Sequence, residues 1–136
     1  RIELEIPPGL ELDSYPGPLE QVIANLIGNS LLHGFDGIDE GCIQIAAHAV
    51  DPDQVVLRYS DNGVGIAAAT LNRIFEPFFT TRLGQGGSGL GLYMVYNLVT
   101  AVLGGTIAVD SAAGQGASFT LTLPRTAPDR SALGGN

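Results

Sequence analysis

Three stretches of this chain carry residues of the types, and at the spacings, that binding chemistry requires. Residues 84–92 read Gly84-Gln85-Gly86-Gly87-Ser88-Gly89-Leu90-Gly91-Leu92, a glycine run that passes directly into an apolar helix starting near Ser88. Glycine lets a backbone come close to a ligand, and the first amides of a helix have no acceptor within it, so the pattern is that of an anion site, phosphate foremost. Asp61-Asn62-Gly63-Val64-Gly65-Ile66 sets a carboxylate at the end of an alternating segment, ahead of two glycines. Asn25, Asn29 and His33 recur at i, i+4 and i+8 and drift only about 40° per step, so two amides and an imidazole share one stripe of a helix. That stripe suits a solvated face, and it equally suits a ligand, since asparagine is a mediocre helix former and two in register need a reason.

Several chemistries are excluded at once. Gly84, Gly86 and Gly89 satisfy a dinucleotide fingerprint with Asp110 downstream, but that fingerprint needs a buried strand before the glycines, and residues 75–83 are broken by Pro77. All six basic residues are arginine, which removes the lysine of a Walker A loop. With a formal charge of −8 and six arginines as the only basic residues besides two histidines, a backbone-tracking nucleic-acid surface has little to be built from, so the phosphate is read as a small ligand's. Cys42 is the single cysteine and reads as a small buried strand residue. No apolar run of about 18 residues is present, so no membrane contact is expected of this domain.

The elements that must position these residues follow from periodicity. Residues 1–6 alternate as a half-buried strand stopped by Pro7-Pro8, with Leu10 and Leu12 as a possible continuation. Pro16-Gly17-Pro18 punctuates the chain, with Pro18 at the first position of a helix. Leu19, Val22, Ile23, Leu26, Ile27 and Leu31 then recur at helical spacing. Residues 42–50 and 54–60 read as a hairpin across Asp51-Pro52-Asp53, followed by a short helix over 67–74. An apolar helix carrying Leu92, Met94, Val95, Leu98, Val99, Val102 and Leu103 ends at Gly104-Gly105. Residues 106–110 and 117–123 are two further strands. With 136 residues the chain fits one globular domain. Residues 1–125 are taken as that domain, and 126–136 as a C-terminal tail or linker without periodicity, expected to be disordered.

Four motifs now stand in one order: Asn25-Leu26-Ile27-Gly28-Asn29-Ser30-Leu31-Leu32-His33-Gly34, Asp61-Asn62-Gly63-Val64-Gly65-Ile66, Phe75-Glu76-Pro77-Phe78-Phe79-Thr80-Thr81-Arg82, and Gly87-Ser88-Gly89-Leu90-Gly91-Leu92. Together they resemble the N, G1, F and G2 boxes of the catalytic and ATP-binding domain of sensor histidine kinases, over residues 19–124. The resemblance implies a two-layer α/β (α+β) sandwich of the Bergerat type, a mixed, mostly antiparallel sheet with helices on one face. It implies that Asp61 accepts the adenine amino group, that Gly63 and Gly65 let the backbone approach the base beside Ile66, and that His33 stacks on adenine. Asn29 matches the magnesium ligand between the phosphates, with Asn25 beside it in the same box. Thr80 and Arg82 match a mobile lid, Arg82 as a cation for the terminal phosphate. The amides of Gly87, Ser88, Gly89, Leu90, Gly91 and Leu92 match the contacts to the other phosphates, and Ser118 matches a hydroxyl that assists Asp61. Asn29 and Arg82 are the residues cast as catalytic.

Implied with these are ATP and Mg2+, a separate dimerisation and phosphoacceptor helical domain of the same protein, and a response regulator downstream. The implied activity is donation of the γ-phosphate to a histidine in two-component signalling, by a cytoplasmic domain whose parent protein is open to membrane anchoring. The chain departs from the family at Leu32, where many relatives carry lysine. It also lacks a phosphoacceptor motif, since His33 lies in the ATP box and His48 sits in a strand, packed or half exposed. The alternatives are a Bergerat-fold ATPase or protein serine kinase, which carry a glutamate base where Asn25 stands, and a non-catalytic nucleotide sensor.

Overall fold

The computed structural model describes residues 1–10, 12, 14–35, 37–77 and 91–128. Five strands form one sheet: β1 (Ile2–Glu5), β2 (Ile43–Asp51), β3 (Gln54–Asp61), β4 (Thr106–Ser111) and β5 (Ala117–Pro124). Their spatial order is β1-β2-β3-β5-β4, with β1 parallel to β2 and every other pair antiparallel. The helices are α1 (Pro16–Asn29), the single turn α2 (Ala68–Leu71) and α3 (Gly91–Asn97).

Period-two alternation decides which face of the sheet is covered. Ile43, Ile45 and Ala47 of β2, Val55, Leu57 and Tyr59 of β3, and Ala117, Phe119, Leu121 and Leu123 of β5 are all buried. Val22 and Leu26 of α1 and Leu92, Val95, Val99 and Leu103 at and beyond α3 close over most of these residues as one core. The other face carries polar or half-buried residues, among them the register row Gln44, Ser60, Ser118 and Asp110. The expected two-layer sandwich, mixed and mostly antiparallel with its helices on one face, is the architecture observed.

Five local readings are corrected by the structure. β1 is a strand but not half-buried: all four residues are exposed, Leu4 by 67%, because β1 is an edge strand and alternation says nothing about whether a second layer reaches it. The first helix begins at Pro16, not Pro18, since proline is tolerated throughout a first turn whose N–H groups have no partner. Its end runs into a π-helical turn, Ser30–Gly34, closed by Phe35 N–H donating to Ser30 O at 2.9 Å. Ser30, four residues after Leu26, takes the inner row, and Leu31 stands 66% exposed. α3 likewise passes into a π-helical turn, Leu98–Val102, and ends at Gly104 with φ +75°, while its Met94 stands exposed. The short helix is four residues long rather than eight.

Three smaller differences concern single residues and the end of the domain. Cys42 is half-buried one residue ahead of β2, and His48 is exposed. Arg125 N–H donates to Asp53 O at 2.7 Å, and beyond it Tyr15 Oη donates to Pro128 O, so the start of the segment taken as a tail touches the domain.

Candidate nucleotide site

β3 delivers Asp61 to the edge of the helical layer. Strand parity puts its carboxylate on the covered face, in line with Tyr59 and Leu57, and the π-helical turn after α1 passes directly over it. Oδ1 accepts from Gly63 N–H at 3.0 Å and from Ala117 N–H at 3.2 Å. Oδ2 accepts from the Ser30 hydroxyl at 2.7 Å. A carboxylate offers roughly four acceptor positions, so these three bonds fill Oδ1 and leave one position on Oδ2 among the described residues. The group is half-buried: held, yet reachable.

The loop after Asp61 is clamped from both sides. Val64 N–H donates to Gly34 O at 2.7 Å, and a Cβ on Gly63 would come to 2.2 Å of that same oxygen. On the other side Gly114 N–H donates to Val64 O at 2.6 Å, and Ile66 N–H donates to Ser111 Oγ at 2.8 Å. Gly65 has φ +78°, and a Cβ there would meet Ala112 O at 2.0 Å. The glycines of this box are therefore required by protein backbone on either side. Asn62 turns away and caps the neighbouring loop, accepting from Cys42 N–H at 2.7 Å and donating to Glu40 O at 3.1 Å.

Behind Asp61 lies a buried hydroxyl pair. Ser30 is 0% exposed and Tyr59 1%, with their oxygens 2.6 Å apart. The Tyr59 hydroxyl also lies 3.0 Å from Leu26 O. Burial pushes the Tyr59 phenol up to about 12; the hydrogen bond with Ser30 opposes this, and the charge of Asp61 adds to it. Neither residue was singled out from the sequence. The available signals were a serine continuing the buried row Val22, Leu26, Ser30 at i, i+4, i+8, and a phenol in the inward row Val55, Leu57, Tyr59.

The other expected site residues fall as follows. Asn25 accepts from Gln21 Nε2 at 2.7 Å and donates to Gly91 O at 3.4 Å, tying α1 to the first residue of α3. Asn29 is half-buried at the last position of α1, and the His33 backbone lies in the π-helical turn, its side chain being outside the described atoms. Leu92 is buried in the core, so only its backbone can face a ligand. Ser118 does not stand beside Asp61. It pairs with Ser60, so its side chain emerges on the open face of the sheet, and the strand's contribution to Asp61 is the N–H of Ala117. Phe78, Phe79, Thr80, Arg82, Gly87, Ser88, Gly89 and Leu90 lie outside the described residues.

The profile of a family described as "Histidine kinase-, DNA gyrase B-, and HSP90-like ATPase" matches residues 15–127, which include every element from α1 to β5. The chain belongs to this ATPase family. Among relatives of this ATPase domain, the sensor histidine kinase RcsC of Escherichia coli (strain K12) is 39% identical over 127 residues, covering 90% of this chain and 12% of RcsC. The alginate biosynthesis sensor protein KinB of Pseudomonas aeruginosa is 41% identical over 117 residues, 86% of this chain and 18% of KinB. The chain thus spans less than a fifth of either relative. The nucleotide-free catalytic domain of the histidine kinase ThkA superposes with a TM-score of 0.75 at 25% identity, over 92% of this chain and 80% of that one. Full-length ShkA in complex with AMPPNP superposes at 0.69 with 31% identity, over 93% of this chain and 26% of ShkA. The ATPase domain shares its Bergerat-type sheet and helical layer with these histidine kinase structures.

Proposed function

We propose that this domain binds Mg·ATP and presents its γ-phosphate to a histidine on a separate helical dimerisation domain of the same protein, in two-component signalling with a response regulator downstream. The observation that carries the reading is the Asp61 carboxylate, whose Oδ1 is saturated by two backbone amides while Oδ2 keeps one acceptor position. A single, rigidly held anionic acceptor beside a glycine loop suits the exocyclic amino group of adenine and repels the carbonyl of guanine. The phosphates would then run toward the start of α3, where Asn25 ties the helices together, since a helix N-terminus favours negative charge. Arg82 and the lid glycines are assigned the terminal phosphate on the family pattern, and His33 the adenine face.

The donor set fits a magnesium ion shared with phosphate. Among the described residues no group of three His, Cys, Asp or Glu exists, so no all-protein cage is available. Asn29 would supply one neutral amide oxygen, and magnesium commonly takes its remaining ligands from phosphates and water. When bound, the ion would neutralise phosphate charge, which matters in a chain without lysine. The chain's own contribution is positioning, the larger part of phosphoryl-transfer catalysis.

Asn25 argues against the hydrolytic alternative. An amide cannot take a proton from water, and both its oxygen and its nitrogen are engaged, with Gln21 and Gly91. No described helix is long and apolar enough to cross a membrane. A response regulator as partner favours the cytoplasm for this domain, within a parent open to membrane anchoring, and residues 1–125 are taken as the domain with 126–136 as its tail or linker.

Incubation with γ-labelled ATP tests the reading. With a dimeric helical partner carrying a phosphoacceptor histidine, the label is expected on the partner, lost in acid and retained in base. Fast turnover by the isolated chain, or acid-stable label on serine or threonine, overturns it.

A further inference from the structure

We infer that Ser30 and Tyr59 are positioning residues for nucleotide recognition: the Tyr59 hydroxyl donates to Ser30, Ser30 donates to Asp61 Oδ2, and this fixed order of protons aims the one remaining acceptor position of Oδ2 at the ligand. The inference rests on the proposed contact between Asp61 and adenine and extends it to two residues behind the site.

Counting protons sets the order. Three close contacts, Ser30 to Asp61 at 2.7 Å, Ser30 to Tyr59 at 2.6 Å and Tyr59 to Leu26 O at 3.0 Å, share two hydroxyl protons. A carboxylate only accepts, so the Ser30 proton lies on Asp61. The Tyr59 proton must then serve either Ser30 or Leu26. Two hydroxyl oxygens 2.6 Å apart need a proton between them, and the Ser30 proton is committed to Asp61, so the Tyr59 proton lies toward Ser30 with Leu26 O at 3.0 Å as its second acceptor. Tyr59 therefore donates chiefly to Ser30, and a phenol held neutral by burial keeps that proton at any ordinary pH. A hydroxyl that is itself receiving a hydrogen bond is the stronger donor, which tightens the grip on Oδ2.

The arrangement substitutes for a side chain that β5 does not provide. Ala117 is the strand residue opposite Asp61 and reaches it only through its N–H, and Ser118 faces the other way. Rotation of a carboxylate about its last bond is soft. With Oδ1 held by two backbone amides, Ser30 is the described group that pins Oδ2. Phe119 stacks edge-on against Tyr59 at a centroid distance of 6.3 Å and holds the phenol in place.

The test is a comparison of ATP with its 6-deamino analogue, purine riboside triphosphate, titrated calorimetrically against the 136-residue chain and the variants Ser30→Ala, Tyr59→Phe and the double variant. The wild type is expected to prefer ATP by about tenfold or more, the worth of one charge-assisted hydrogen bond. Ser30→Ala is expected to lose most of that preference by weakening ATP alone, and Tyr59→Phe part of it. In the Ser30→Ala background Tyr59→Phe should change nothing further, because it acts through Ser30. Tyr59→Phe keeps its ring and its stacking, and it carries the measurement if Ser30→Ala does not fold. Undiminished preference in folded variants overturns the positioning role while leaving Asp61 as the adenine contact. Equal weakening of both nucleotides also overturns it, as a purely structural effect would do that. A wild type with no preference removes the Asp61 contact itself, and the inference with it.

Discussion

Asp61→Asn and Asp61→Ala separate the structural role of this carboxylate from its proposed role in holding adenine. In the structure Asp61 receives Ser30, Gly63 N–H and Ala117 N–H, which come from a helix end, its own loop and the neighbouring strand. Alanine leaves all three donors without their acceptor. Each stranded buried donor costs about 1–3 kcal/mol, and the half exposure of the site lets water recover part of this, so about 3–5 kcal/mol of folding stability should go. Asparagine keeps an oxygen for the two amides and turns an NH2 toward Ser30, which can accept instead, so the stability loss should stay near 1 kcal/mol. In ligand binding the order of damage changes. Asparagine presents a donor where the adenine amino group needs an acceptor, and about 1.5–3 kcal/mol of charge-assisted bonding is lost, roughly a ten- to hundredfold rise in Kd. Urea unfolding followed by circular dichroism, since the chain has no tryptophan, reads the first quantity, and calorimetric titration with ATP reads the second. An Asp61→Asn protein that is folded and binds ATP with unchanged Kd refutes the adenine assignment. An Asp61→Ala protein that loses less than about 1 kcal/mol refutes the strut role.

Other perturbations probe the surroundings. Gly65→Ala should cost about 3 kcal/mol or more in urea unfolding, since it adds left-handed strain at φ +78° to a Cβ 2.0 Å from Ala112 O; a loss below 1 kcal/mol would mean the loop yields easily. The buried phenol of Tyr59 predicts a pH effect. An unfolded chain releases that proton near 10.0 and the folded chain only near 12, so the folded state binds more protons in that window and about 2–3 kcal/mol of stability is lost as pH rises from 10 to 12. Tyr59→Phe should lack this component of the slope, and identical slopes would count against a buried, neutral phenol. Asn29→Ala should weaken ATP binding more with magnesium present than with the metal chelated; equal weakening in paired titrations removes the metal role.

What the sequence discloses, and what it hides, follows from the range of the interactions involved. Strands β2, β3 and β5 are legible because one face is covered and the other open, which imprints period two on residues 43–47, 55–61 and 117–123. The same alternation in β1 is deceptive, since Ile2 and Leu4 pair with buried Ile43 and Ile45 yet lie beyond the helical cover. Asp61 can be recognised as an acid at a strand end, a local feature. Its partners cannot, because Ser30 and Ala117 lie 31 and 56 residues away in the chain. Two errors are errors of register. The buried row of α1 continues from Val22 and Leu26 to Ser30 and not to Leu31, and strand parity gives Asp61 the neighbour Ala117 and not Ser118. On the helix the i+4 step from Leu26 marks Ser30, but an apolar residue next to it draws the row one position on, and a one-residue slip on a strand reverses the face.

The glycines around Asp61 acquire a different meaning once their neighbours are known. From the sequence, Gly63 and Gly65 look like room made for a base. In the structure a Cβ on Gly63 would strike Gly34 O at 2.2 Å, one on Gly65 would strike Ala112 O at 2.0 Å, and one on Gly116 would strike Asp61 O at 2.2 Å. These positions are tight against backbone on every side, and the hydrogen bonds of Val64, Ile66 and Asp61 lock the same segment. The wall that holds Asp61 is therefore rigid before any ligand arrives. If Asp61 takes the base as proposed, a rigid acceptor would lose little entropy on binding and could not swing to suit a different base, so affinity and base selectivity would share one origin. It follows that selectivity should be sensitive to residues that never touch the ligand, Ser30, Tyr59, Gly34 and Ser111 among them, in proportion to how firmly each holds the loop or the carboxylate.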